Sequence, residues 1–278
     1  MTTPPQVQPA GSNTLRLRIL SALVLAPLAV AVAWFGSPWL PLLTAVAGAV
    51  MAWEWALLCH AGRLGASGVV LIATVLAAIA GAAVGSLMPA IAVSLGGAAL
   101  VWLTARHEAG GDSFWLALGA LWVALPCVLL LWLARYEGAG RSTVLWIFAV
   151  VWATDIGAYM AGRWLGGPRL APRWSPRKTW AGLIGGIVCA ALAGWGTAGA
   201  LGISPMLPLV LVSAGLAIVE QFGDLAESVA KRRFGVKDSS GLIPGHGGLL
   251  DRLDGLLAVI PAVALLTLFG GGSVLTWQ

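Results

Sequence analysis

Charged residues are the scarcest class in this sequence. Asp, Glu, Lys and Arg together make up 10% of the 278 residues, whereas hydrophobic residues make up 59%. Soluble domains carry about 25% charged residues, so a water-exposed surface is excluded for most of the chain. Mean hydropathy is +0.90, and apolar stretches of membrane-spanning length recur. The sequence therefore predicts an integral membrane protein.

Cysteine and histidine are also rare, with three residues of each. Cys59, Cys127 and Cys189 lie singly in apolar stretches, without the spacing of a disulfide framework or a zinc site, so we expect them to pack in the interior. No G-x-x-x-x-G-K-[ST] motif is present, which excludes a P-loop nucleotide site. No internal repeat of fixed period is present either.

Nine apolar stretches predict an all-α, polytopic bundle of about nine transmembrane helices. The predicted spans are residues 19–35, 39–58, 68–88, 90–105, 114–134, 144–160, 183–201, 206–222 and 256–269. Only Pro89 separates the third stretch from the fourth, so eight spans remain the alternative. Arg16 and Arg18 before the first stretch also fit a cleavable signal peptide, but the next stretch begins within a few residues, which favours a retained hairpin.

The basic residues set the orientation. With the N-terminus in the cytoplasm and nine spans, only Arg135 and Arg141 of the 16 Lys and Arg residues fall in outer loops, which leaves 14 on the cytoplasmic side. This distribution follows the positive-inside rule. It accounts for the net charge of +5 without a nucleic-acid partner, and it places residues 163–179 and 223–254 on the cytoplasmic face.

Four carboxylates lie within or at the ends of apolar stretches. They are Glu54, Asp155, Glu220 and Asp224. A charged side chain in the bilayer costs roughly 3 kcal/mol or more, which makes each of them a functional candidate. Glu54 is the weakest, since it lies near a helix end between two tryptophans; we expect a structural polar contact there, and a milder effect on its substitution.

Polar residues in the second half of the chain fall on shared helix faces. At 100° per residue, Glu220, Asp224, Glu227, Ser228 and Lys231 form one stripe. Such a stripe entering the membrane should line an enclosed, wet cavity, because exposure to lipid would be prohibitive.

Two further polar edges lead to the same side of the membrane. Asp155, Tyr159 and Arg163 form a second stripe, and Asp251 and Asp254 are spaced i and i+3 near the start of the last span. We expect these faces to meet at the cytoplasmic ends of the helices.

Residues 237–248 form a loop rich in glycine, hydroxyl groups and charge. Glycine-rich turns can direct backbone N–H groups at phosphate oxygens, so this loop predicts a phosphate site. The neutralising charges are Lys231, Arg232, Lys237 and Arg252. We favour His246 as a hydrogen-bond donor over a catalytic base.

Residues 163–180 form a second basic loop, which is rich in proline. Ser175, Lys178 and Thr179 combine hydroxyls with an ammonium group, as phosphate cradles do. For Arg169 and Arg173, attraction to acidic lipid headgroups remains an alternative.

Two blocks of sequence closely resemble the phosphatidate cytidylyltransferase family, also called CDP-diacylglycerol synthase. The first comprises SVAKR at 228–232, KD at 237–238 and PGHGGLLDRLD at 244–254; the second lies within 155–186 and includes SPRKTW at 175–180. Before residue 155 the resemblance is only topological. The departures are Ala230, where the family has a larger apolar residue, and Ala181, where it has Glu or Gln.

The resemblance implies a phospholipid-biosynthesis enzyme of the bacterial inner membrane that joins CTP to phosphatidate, giving CDP-diacylglycerol and pyrophosphate. It implies Mg2+ as cofactor, with Asp224 and Asp251 as its ligands, and leaves a second cation and a homodimer open. Lys231 would be catalytic beside these two aspartates. The implied substrate-binding residues are Asp155, Ser175, Lys178, Thr179, Ser228, Arg232, Lys237, Asp238, His246, Gly247, Gly248, Arg252 and Asp254.

This interpretation divides the chain into a disordered cytoplasmic tail, residues 1–13, and a single transmembrane catalytic domain, residues 14–278. Spans within 14–142 precede the part that carries the active site, 143–278. The competing hypotheses are a transporter that uses the acids as an ion or proton relay, and a CTP-dependent lipid kinase that transfers the γ-phosphate.

Overall fold

The computed structural model describes residues 12–85, 87–108, 112–243 and 247–277, with side chains from Leu23 onward. Within these residues the chain forms nine α-helices, two short strands and a terminal 3-10 turn. The helices are α1 Ser12–Phe35, α2 Trp39–Cys59, α3 Ala66–Ala83, α4 Leu87–Ala105, α5 Ser113–Ala134, α6 Gly140–Trp164, α7 Trp180–Leu201, α8 Leu207–Arg233 and α9 Leu250–Phe269. The strands are β1 Arg169–Ala171 and β2 Ser175–Thr179.

The prediction of a polytopic helical membrane protein is confirmed. In the described part of the chain, the eight helices α2 to α9 are each long and apolar enough to cross a membrane, and α1 contributes the shorter apolar segment Leu23–Phe35. The sequence analysis placed the break between the third and fourth spans at Pro89, and this prediction was wrong. Helix α3 ends at Ala83 and α4 begins at Leu87, so Pro89 lies in the first turn of α4, where its missing N–H costs no hydrogen bond.

The helices pack in two groups. One apolar cluster joins α2, α3, α4 and α5, where the Trp55 indole donates to the Trp115 carbonyl oxygen at 2.8 Å. The other centres on α6 to α9, where the Trp146 indole donates to the Ser213 hydroxyl at 3.0 Å. Helix α9 contacts both groups, so its N-terminal end lies where they meet.

Glycines allow α8 and α9 to touch. A Cβ atom on Gly223 would lie 2.8 Å from the Asp254 carbonyl oxygen, and one on Gly255 would lie 2.8 Å from the Glu220 side chain. Small residues at helix contacts are typical of membrane bundles. At 27 residues, α8 is about 40 Å long, which exceeds the roughly 30 Å hydrocarbon core.

The loop after α6 contains an antiparallel hairpin that the sequence analysis did not predict. Arg169 pairs with Thr179 and Ala171 with Ser175. Strands of three and five residues are too short for a period-2 pattern to stand out. The hairpin matters because β2 carries Lys178 and ends at the start of α7.

A partly buried polar contact ties the start of α3 to the turn after α4. Glu108 accepts from the Ser67 hydroxyl at 2.6 Å and from the Ser67 backbone N–H at 2.8 Å, with the His60 ring 3.1 Å away. The Ser67 hydroxyl bond lowers the pKa of the Glu108 carboxyl below its ordinary value. A depressed pKa means that this contact stabilises the fold above the unfolded-state pKa and loses that effect as pH falls.

Ser67→Ala is therefore expected to destabilise the protein by about 1 kcal/mol at neutral pH. The loss should shrink as pH falls through the folded-state pKa of Glu108. Thermal unfolding in detergent across a pH series measures it. Ser94→Ala is the matched control, because the Ser94 hydroxyl is buried and donates only to the Ala90 carbonyl. A loss for Ser67→Ala that does not vary with pH would contradict the prediction.

Candidate functional site

One cavity of about 690 Å³ joins the polar stripes to apolar side chains in the interior of the helix bundle. Its charged end is lined by Asp155, Asp224, Lys231, Asp238, Asp251, Arg252 and Asp254. Its other end runs between α1, α2, α5, α6 and α9 and is lined by apolar side chains such as Leu43, Ala47 and Leu256. The cavity is thus amphipathic along its length.

A hydrogen-bonded network connects the hairpin to α8 and α6. The Lys178 ammonium lies 2.6 Å from Asp224 Oδ2 and donates to Gln221 Oε1 at 2.9 Å. The Gln221 amide donates to Glu220 Oε2 at 2.6 Å, and the carboxyl group of Glu220 lies beside that of Asp155. The two predicted stripes therefore meet, and β2 supplies their cation.

A second network surrounds Asp251. Its Oδ1 lies 2.6 Å from the Lys231 ammonium, which also contacts Glu227 Oε2 at 2.9 Å. Its Oδ2 accepts from the Ser239 N–H at 2.9 Å, the Ser239 hydroxyl at 3.0 Å and the Gly248 N–H at 2.8 Å. Asp251 thus joins the start of α9 to the end of α8 and to the glycine-rich loop.

The two glycines beside Asp251 cannot carry a larger side chain without movement of the site. Gly247 has φ +83°, a left-handed conformation that favours glycine, and a Cβ there would lie 2.8 Å from Asp251 Oδ2. A Cβ on Gly248 would lie 2.6 Å from Glu54 Oε1 and would collide with the Ser239 hydroxyl. The glycines let the loop backbone approach these carboxylates.

The donor set at the charged end suits a divalent cation. In the described part of the chain, the charged end holds seven carboxylates and three cations. The carboxylates are Asp155, Glu220, Asp224, Glu227, Asp238, Asp251 and Asp254, and the cations are Lys178, Lys231 and Arg252. Glu227 Oε1 is buried without a hydrogen-bond partner. Among the described residues, no three His, Cys, Asp or Glu are placed to hold a metal ion by themselves. Mg2+ needs only one or two carboxylates when phosphates and waters complete its shell.

The remaining predicted residues lie around this centre. Ser228 donates to Asp224 Oδ1 at 3.4 Å. Thr179 is buried, and its hydroxyl accepts from the Gly182 N–H at 3.0 Å, which caps α7. Arg232 is exposed and donates to backbone carbonyls of the hairpin and of the loop after α8.

The other predicted residues are Ser175, Lys237 and His246. Ser175 is half-buried on β2, Lys237 is exposed, and His246 lies outside the described residues.

The sequence-based site list omitted several residues that build the networks. They are Glu54, Glu220, Gln221, Glu227 and Ser239. Glu220 and Glu227 lay on the predicted stripe of α8, so helical periodicity was a sufficient signal for them. Ser239 lies in the loop 237–248 that the sequence analysis interpreted as a phosphate site, whereas the sequence held no comparable signal for Gln221.

Comparison with known proteins supports a single family. The cytidylyltransferase family matches residues 16–269. A phosphatidate cytidylyltransferase of Brucella suis is 39% identical over 262 residues, which is 93% of this chain and 94% of the relative. One of Pseudomonas aeruginosa is 35% identical in an alignment of 271 positions that covers 91% of this chain and 96% of the relative.

These matches include the N-terminal spans, where motifs are absent, as well as the two blocks that build the charged end of the cavity. Because they cover nearly the whole chain, this protein belongs to the cytidylyltransferase family and is a nucleotidyltransferase enzyme embedded in the membrane.

Proposed function

We propose that this enzyme transfers the cytidylyl group of CTP to phosphatidate, giving CDP-diacylglycerol and pyrophosphate for phospholipid biosynthesis. The observation that carries the proposal is the amphipathic cavity. A lipid with a phosphate headgroup would occupy both the apolar end and the charged end of the cavity, whereas a polar metabolite would occupy only the charged end. The names of the two relatives are in accord with this substrate.

The apolar end of the cavity provides a path for an acyl chain. It is lined by Leu43, Ala47, Leu130, Trp152 and Ile260 on four helices. Transfer of one methylene group from water into such a path contributes about 0.8 kcal/mol to the free energy of binding. An acyl chain that arrives from the bilayer leaves an apolar environment, so its transfer contributes little. The path therefore serves to place the headgroup, and phosphatidate enters from the side while CTP enters from the cytosol.

The charged end addresses the main obstacle to this reaction, which is repulsion between two anions. The phosphate monoester of phosphatidate has a second pKa of about 6, so it is largely ionised at neutral pH and needs no strong base. One of its oxygens attacks the α-phosphorus of CTP, and the bond to the β-phosphate breaks to release pyrophosphate. Lys178, Lys231 and Arg252 hold the phosphates and neutralise the charge that develops on the leaving group.

Asp224 and Asp251 would hold Mg2+, with a second cation open for the remaining carboxylates. When bound, Mg2+ supplies positive charge to the phosphate oxygens and orients them. Both aspartates line the cavity. Each of them pairs with a lysine ammonium group, Asp224 with Lys178 and Asp251 with Lys231.

The identity of the released product tests the proposal. Purified protein in liposomes is supplied with phosphatidate and CTP labelled in the α- or γ-phosphate. We expect the α-label in lipid and the γ-label in pyrophosphate. Release of CDP with the γ-label in lipid would instead indicate a lipid kinase. Ion flux without turnover of CTP would indicate a transporter.

We also propose that the site faces the cytoplasm of the bacterial inner membrane. Arg173→Cys on the exposed hairpin should resist an impermeant thiol reagent in intact cells and react after permeabilisation. Glu137→Cys, in the exposed loop between α5 and α6, should react in intact cells. The native cysteines Cys59 and Cys127 are buried and give a low background, whereas the half-buried Cys189 is replaced by Ala in both variants. Labelling of Arg173→Cys in intact cells would overturn this topology.

A further inference from the structure

Glu54 is a fully buried carboxylate on α2, far in sequence from the residues that it contacts. Its side chain is 0% exposed. It lies on the helix that also lines the apolar end of the cavity with Leu43, Ala47 and Met51. The sequence favoured a structural contact for Glu54 but gave no partner for it.

The two carboxylate oxygens of Glu54 have four hydrogen-bond donors within reach. Oε1 accepts from the Ser240 hydroxyl at 2.6 Å and the Leu249 N–H at 2.9 Å. Oε2 accepts from the Leu250 N–H at 2.7 Å and the Ser239 hydroxyl at 3.3 Å. Glu54 thereby caps the N-terminal end of α9 from another helix and fixes the start of the glycine-rich loop.

Asp251 holds the same two segments from the other side. It accepts from Ser239 in the loop and from the Gly248 N–H just before α9. The Ser239 hydroxyl lies between the two carboxylates, 3.3 Å from Glu54 Oε2 and 3.0 Å from Asp251 Oδ2, and its single hydrogen can serve either of them. The position of Asp251 in the cavity therefore depends on where Glu54 places Ser239 and the first turn of α9.

We propose that Glu54 is a positioning residue for the nucleotidyl-transfer site, which sets the distance between Asp251 with its glycine-rich loop and the helix that lines the lipid path. This inference rests on the proposed function for its kinetic consequences. Glu54 acts through Asp251. Loss of the Glu54 carboxylate should therefore slow turnover and raise the Mg2+ requirement, with little change in the KM for phosphatidate.

Glu54→Gln is the sharpest variant. A carboxamide has one oxygen, whereas Leu249 and Leu250 donate backbone N–H groups to different oxygens of Glu54. In either amide orientation one backbone N–H faces an NH2 group, which can only donate. A shift of about 1 Å at a reacting centre can cost about 100-fold in rate, so we expect kcat to fall about 100-fold. Glu54→Asp keeps the charge and should retain more activity than Glu54→Gln.

Backbone hydrogen exchange provides a readout that does not depend on activity. Peptides covering residues 237–243 and 247–255 should exchange faster in Glu54→Gln than in the parent protein, while peptides of α4 stay unchanged. Glu108→Gln is the matched control, since Glu108 also accepts from a serine hydroxyl and a backbone N–H but lies outside the cavity. It should leave kcat and exchange of the loop unchanged.

The outcomes separate this inference from the proposed function. Normal kcat, normal Mg2+ requirement and unchanged exchange in Glu54→Gln would overturn the inference while the parent enzyme still makes CDP-diacylglycerol. A parent protein without that activity, but with faster loop exchange in Glu54→Gln, would overturn the proposed function and keep the structural link. If Glu54→Gln fails to fold, Ser240→Ala removes one of the four donors to Glu54 and should give a smaller fall in kcat and a smaller rise in loop exchange. Unchanged kcat and unchanged exchange in Ser240→Ala would also overturn the inference.

Discussion

Asp224→Asn and Asp251→Asn are each expected to reduce CDP-diacylglycerol formation by about 1,000-fold or more. Each substitution keeps the size of the side chain and removes one negative charge from the set of proposed Mg2+ ligands. A metal ion that neutralises phosphate oxygens contributes several kcal/mol to such a transfer, and each 1.36 kcal/mol corresponds to a factor of ten. The loss should exceed that expected for Glu54→Gln, since Glu54 acts only through Asp251.

The two aspartates should differ in their effects on stability. In Asp251→Asn, the amide can keep its oxygen towards Ser239 and Gly248 only by turning its NH2 group towards the Lys231 ammonium, so stability should fall. Asp224 is more exposed, with 30% of its side chain accessible against 5% for Asp251. Its substitution frees Lys178 on the hairpin and should leave the bundle intact.

The measurement is Mg2+-dependent formation of labelled CDP-diacylglycerol from CTP in liposomes, with folding followed by size-exclusion chromatography. Glu108→Gln is again the control, as a carboxylate outside the cavity. Well-folded variants with normal rates and normal Mg2+ dependence would show that the metal assignment is wrong. Asp155, Asp238 and Asp254 would then be the next candidates, since all three line the same cavity.

The sequence was a good guide to the helices, because the length of an apolar stretch directly reports a membrane crossing. The predicted span 39–58 corresponds to α2 Trp39–Cys59, and 114–134 corresponds to α5 Ser113–Ala134. The predicted span 206–222 matches the apolar part of α8 Leu207–Arg233, and the predicted helical stripe from Glu220 to Lys231 matches its charged continuation. The hairpin was not predicted because strands of three and five residues are too short to show the alternation of apolar and polar residues that is typical of a β-strand.

The site was predictable where one helix carries several of its residues. The stripe from Glu220 to Lys231 follows from helical periodicity alone, and α8 has the predicted helical conformation throughout. Contacts between distant elements were not predictable in this way. Glu54 and Ser240 are 186 positions apart, and Lys178 and Gln221 are 43 apart. Only the folded chain brings these donors and acceptors together.

Lys231→Gln is expected to affect both turnover and stability, unlike Lys178→Gln. The Lys231 ammonium compensates two carboxylates, Glu227 and Asp251, whose side chains are 0% and 5% exposed. Removal of one partner from a buried ion pair costs about 3–5 kcal/mol, because it leaves a buried charge uncompensated. Lys178 belongs to the hairpin and pairs with the more exposed Asp224, so Lys178→Gln should slow turnover or weaken CTP binding with little loss of stability.

The double variant Lys231→Gln/Glu227→Gln separates charge compensation from catalysis. Substitution of Glu227 removes the excess buried negative charge, so thermal stability should recover most of the loss seen in Lys231→Gln. Turnover should stay low, about 100-fold below the parent enzyme, because no ammonium group remains at this position to neutralise the phosphates. Thermal unfolding in detergent and the kcat and KM for CTP give the two measurements on the same preparation. Recovery of turnover together with stability would show that Lys231 serves only to balance Glu227 and Asp251, and its catalytic assignment would be wrong.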